Sequence, residues 1–248
     1  MELVISNSNN WQDVARFTQV AHNINDAPAF AGAKAKVNRA RLHMAEVERM
    51  IEGHLASDWF SIDRFSEDEI PVVQIEVFSP GFELSAAIGD CVHNLRSALD
   101  HLAVSCVEVV GGNTRNVYFP FAPDEETLEA SIRRANFHRA PPEALDLLRS
   151  YKPYRNGNIA LRALHDLDVT DKHKALVPAI GSTKITGGID PAKNITQDDI
   201  TVETPRLVFH SDGPLGNEEI LPTLTSILEL IESIVDAFET LLIPSSDL

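Results

Sequence analysis

The sequence predicts an α+β, mainly helical fold: an antiparallel helical bundle with a small β-hairpin and a few additional short strands. Two observations predict it. Apolar residues recur at helical spacing through 33–54, 84–110, 159–176 and 218–242. Between the first two of these runs the period shortens to that of a strand, on both sides of the acidic turn SEDEIP. The chain has 248 residues, ample for a sizeable core. Without internal repeat or linker, it reads as a single domain. Residues 1–32 form a loosely packed N-terminal extension and residues 33–248 the bundle with its β insertions.

The elements follow in order. The first thirty residues are polar, apart from a short helical stretch near Trp11–His22. Ala33–His54 is rich in Ala, Lys, Arg, Glu and Met, and sets Val37, Leu42, Val47 and Ile51 at roughly helical spacing. Trp59–Arg64 and Val72–Phe78 form the hairpin, which Pro80 and Gly81 close. Leu84–Val110 is the clearest helix and stops at Gly111 and Gly112. VYFPF is extended, with Tyr118, Phe119 and Phe121 destined for the core. Glu125–Asn136 and Pro142–Ser150 are two shorter helices, the second with prolines at its start. Ile159–Leu176 is helical, and residues 177–215 are loops with strands such as Arg206–His210. Glu218–Leu242 closes the chain with a wide apolar face.

Composition narrows the function. Hydrophobic residues make up 44% and charged residues 23%, an ordinary globular balance. No segment is apolar enough to span a bilayer, and the start of the chain lacks a signal-peptide pattern, so a cytoplasmic protein is expected. Cys91 and Cys106 lie about 22 Å apart along one helix, too far for a disulfide, and read as buried free thiols in a reducing compartment. The net charge of −16 argues against a general nucleic-acid binder. Yet residues 131–174 hold nine Lys/Arg against five acids, a net +4 that leaves −20 elsewhere and could receive an anionic ligand.

The chemistry concentrates on the Leu84–Val110 helix. At about 100° per residue, Cys91, Leu95, Ala98, Leu99, Leu102 and Cys106 form one apolar stripe. Asp90, His93, Asn94, Ser97, Asp100 and His101 fall opposite, with Arg96 at the edge. A plain solvent face would carry Lys and Glu; these groups suit proton transfer, hydrogen bonding or metal ligation. A purely structural face, with Asp90 complementing the helix dipole and Asn94 and Ser97 bonding across helices, is the competing reading. Asp90-x-x-His93 and His165-x-x-Asp168 each put two ligand types on one helix face, so Asp90, His93, His165 and Asp168 could hold a divalent metal. The remaining histidines (His22, His43, His54, His138 and His210) read as surface or loop residues.

HNLRSALDHL, with Arg96 and His101 in Arg-x4-His spacing on a long bundle helix, resembles the HEPN family of helical RNA-cleaving proteins. IGDCVHNLRSALDHL followed by LHDLDVTDKHKAL also resembles a pattern recurring among bacterial proteins of this size, implying that both segments belong to one architecture. The HEPN resemblance implies a metal-independent ribonuclease without cofactor, or an inactive relative, in a defence or toxin–antitoxin setting. It implies His101 as general acid/base and Arg96 as stabiliser of phosphate charge, with Asp100, His93 and Asn94 completing the candidate catalytic set. Arg162, Lys172 and His173 would add phosphate contacts, and a homodimer is expected. The alternatives are a non-catalytic helical module binding a protein or small ligand, and a His/carboxylate metal-binding bundle.

Overall fold

A computed structural model describes residues 28–67, 70–187 and 200–243; the stretch Trp11–His22 lies outside them. Its helices are α1 (Ala31–Leu55), α2 (Phe82–Glu108), α3 (Leu128–Arg134), α4 (Pro142–Ser150), α5 (Ile159–Asp171) and α6 (Ile220–Leu242). Its strands are β1 (Phe60–Glu67), β2 (Ile70–Val77), β3 (Pro178–Ile180), β4 (Ile185–Gly187), β5 (Ile200–Val202) and β6 (Leu207–Phe209). The architecture is mainly helical with small antiparallel sheets, as the periodicity predicts. β1 pairs with β2 from Phe60 opposite Val77 to Glu67 opposite Ile70. β3 pairs with β6, and β4 with β5, each over three residues.

α2 is the axis of the bundle and packs against α1, α5 and α6. Its predicted apolar stripe is fully buried: Cys91, Leu95, Ala98, Leu99, Leu102 and Cys106 are each 0% exposed. Each large aliphatic side chain there contributes about 1.5–3 kcal/mol by leaving water. Burial also pushes the Cys91 thiol up to about 12 and Cys106 higher still, so neither is a thiolate near neutrality. Both thiols should therefore resist a disulfide reagent such as Ellman's in the native state. They should react at the rate of free cysteine once urea unfolds the chain. Fast native labelling of either would contradict this packing.

Several elements differ in detail from the sequence reading. On α1 the inward face is Ala33, Val37, Ala40, His43, Val47 and Ile51, while Leu42 is 62% exposed. His43 therefore belongs to the core side rather than the surface, its ring covered and Nδ1 3.7 Å from Glu46. His54 lies in the last turn of α1 with a covered Nε2, not on a loop. The buried positions recur every three or four residues from Ala33 to Ile51, and Leu42 falls outside that face. Phe30, within the extension expected to be loosely packed, is 1% exposed and enters the core in a left-handed conformation just ahead of α1. Phe119 and Phe121 are buried as expected, but Tyr118 is 37% exposed. α5 stops at Asp171 rather than Leu176, because the β-branched pair Val169–Thr170 weakens the helix and the chain turns toward β3. At its other end the Asn158 side chain accepts a hydrogen bond from the Leu161 N–H at 3.0 Å, a helix cap.

Candidate functional site

α2 and α5 lie side by side, and their polar residues meet along that seam. Asp168 is the centre. It is 3% exposed, and its two carboxylate oxygens take different partners. Oδ1 is 3.0 Å from Nδ1 of His93 on α2, and Oδ2 accepts a hydrogen bond from Lys172 Nζ at 2.6 Å, one turn further along α5. Burial pushes the Asp168 carboxyl up, but the hydrogen bonds and charges of Lys172 and His93 outweigh it and hold the group below the usual carboxylate range. Asp168 is therefore an anion that fixes the His93 ring with Nδ1–H toward it. That tautomer leaves the Nε2 lone pair outward, 3.4 Å from Ser97 Oγ. The His93 side chain is 53% exposed, so Nε2 is within reach of a solute.

Gly89, with no side chain, leaves the room that the Asp171 carboxylate fills. A Cβ built there would come within 2.4 Å of the Asp171 carboxylate. Burial, then the charges of Asp168 and Asp90, push the Asp171 carboxyl above its ordinary value.

A second cluster lies on the buried side of α2. Arg96, expected at the edge of the polar face, is only 8% exposed. Its guanidinium carbon stands 4.8 Å from the centre of the Phe121 ring, and Nη1 is 2.6 Å from Asp100 Oδ1. That ion pair is not aligned as a hydrogen bond, and Nη1 has no hydrogen-bond partner among the described residues. Asp100 Oδ1 also accepts the Phe119 N–H at 2.9 Å, tying α2 to the irregular segment after it. His165 stacks on Phe121 with ring centres 4.6 Å apart. Burial, then the Arg96 and Arg162 cations, lower its pKa and keep it neutral.

The remaining predicted residues are dispersed. His101 is exposed and faces α1, where a Cβ on Gly32 would come within 2.8 Å of its Nδ1. Arg96 and His101 thus meet different neighbours. Asn94 is buried, donates to the Asp90 carbonyl at 2.8 Å, and accepts from Lys36 at 3.5 Å. Arg162 is engaged by both oxygens of Asp166, at 2.6 and 3.1 Å, and by the Ala122 carbonyl at 3.0 Å. His173 is exposed just beyond α5. Of the four metal-ligand candidates, His93 and Asp168 spend their facing atoms on each other, while His165 lies on Phe121. Among the described residues no group of three or more His, Cys, Asp or Glu is arranged to hold a metal ion.

Two partners escaped the sequence reading. Phe121 reads as plain core, yet it carries both Arg96 and His165. Gly89 has no chemistry of its own; its position on α2 opposite Asp171 depends on how the helices pack. No helix among the described residues is long and apolar enough to cross a membrane. Compared with protein-family models, with curated proteins and with solved structures, the chain matches none of them.

Proposed function

We propose that the α2–α5 seam is an acid–base site that cleaves RNA without a metal, and that His93 is its proton-transfer group. The observation that carries the reading is the His93–Asp168 pair: a half-exposed imidazole oriented by a buried carboxylate 3.0 Å away. Such an arrangement supplies an imidazole whose outward nitrogen meets only the Ser97 hydroxyl among the described residues, and a nearby anion to stabilise the imidazolium once formed. In the proposed reaction a ribose 2′-hydroxyl replaces the Ser97 hydroxyl beside Nε2 and gives it a proton. The 2′-oxygen forms a bond to phosphorus, the bond from phosphorus to the 5′-oxygen breaks, and the departing oxygen takes a proton from solvent. Lys172, 55% exposed beside Asp168, faces the phosphate charge. The chemistry is of the HEPN type, with the acid–base role moved from His101 to His93 and Arg96 acting through packing.

A cytoplasmic setting accords with two buried free thiols, and a homodimer accords with the HEPN resemblance. The second reading, a non-catalytic module binding a protein partner, is favoured by Arg96 and Arg162, whose charges are already engaged within the chain. Purified full-length protein incubated with total RNA and excess chelator separates the two. The proposal expects fragments ending in 2′,3′-cyclic phosphate. Intact RNA under all conditions would leave the binding module, and activity lost on chelation would point to a metal enzyme instead.

A further inference from the structure

Away from the seam, the end of α5, residues 173–177 and the turn after β6 enclose a cavity of about 650 Å³. That is the size of site that holds a small organic molecule. Its walls are mainly apolar: Leu167, Leu176 and Phe209 are buried behind it, while Val169 and Val177 are 42% and 41% exposed along it. His173, Lys174 and His210 also line it, with one carboxylate, Asp212. Asp212 stands 3.8 Å from the His210 ring. The Lys174 and His173 side chains have no hydrogen-bonding or ionic partner among the described residues. On a chain of net charge −16, this is an apolar hollow with a lysine ammonium, unpaired among the described residues, at its edge.

We propose that this cavity binds a small organic acid with an apolar body, its carboxylate at Lys174 and His173 and its body against Leu176 and Phe209. The apolar walls disfavour a bare inorganic anion, whose hydration they cannot replace. The Lys174 ammonium disfavours an ammonium amphiphile of the same length. The inference stands independently of the RNA reading, because none of these residues belongs to the His93–Asp168 pair.

Decanoate, decanol and decyltrimethylammonium, each below its micelle concentration, test the proposal by calorimetry on the full chain. Decanoate should bind at one site, decanol at least about tenfold more weakly, and the cation not detectably. Lys174→Glu should weaken decanoate at least about tenfold. Ala175→Trp, which places an indole at the cavity, should abolish binding, with circular dichroism checking that both variants fold. In the unaltered protein, decanoate should slow acylation of Lys174 but not of exposed Lys152, read by peptide mapping. The proposal is overturned if the three compounds bind alike, if decanoate does not bind, or if Lys174 is equally reactive with and without it.

Discussion

Glutamine at position 93 should reduce RNA cleavage by about 10²–10⁴-fold, the usual worth of a positioned acid–base group. Glutamine keeps polarity and approximate length but cannot exchange a proton near neutrality. Because His93 is half-exposed, thermal stability should hardly move. Asp168→Asn should also depress cleavage, through a different route. The amide can turn its NH₂ toward Nδ1, which then becomes the acceptor and moves the ring proton to Nε2, where the lone pair is needed. A fluorophore-quenched oligoribonucleotide gives the rates, and fragments from wild type but from neither variant would be the expected pattern. If both variants cleave at the wild-type rate while His101→Gln is inactive, proton transfer belongs on the other side of α2.

The second large effect concerns stability. Arg96→Ala should destabilise the fold by about 2–4 kcal/mol, measured by urea unfolding. It removes a buried side chain, empties one face of Phe121 and leaves Asp100 without its cation. The Asp100 side chain is 38% exposed, so water partly compensates and the loss stays below that of a wholly buried pair. Arg96→Lys should recover only part of this, since an ammonium lacks the planar surface that lies on the ring. A wild-type unfolding midpoint and slope for Arg96→Ala would show that the guanidinium is not holding α2 to the Phe121 segment.

Periodicity goes far with α2 and less far with its neighbours. The stripe from Cys91 to Cys106 is legible because six apolar positions agree with one helical face, and all six are buried. Arg96 is misplaced at the edge because the ring that covers it comes from an irregular segment, which no helical wheel contains. The same limit applies to α1, where hydrophobicity points to Leu42 but the face that packs inward runs through Ala40 and His43. At the seam, residues three apart put Asp90 with His93 and His165 with Asp168 on one face of their own helices. Spacing cannot tell two ligands of one ion from two groups bonded to each other; that depends on the distance between α2 and α5. Arg162 shows the converse: its charge suggests a free phosphate contact, while Asp166 one turn away already holds it.

The bare backbone at Gly89 gives the Asp171 carboxylate its place. A single added carbon would stand within 2.4 Å of that carboxylate, and the Asp171 side chain would have to swing aside. One helical turn from His93, a methyl would thus displace a carboxyl whose charge is felt by Asp168 and His93, through a residue whose only contribution is the room it leaves.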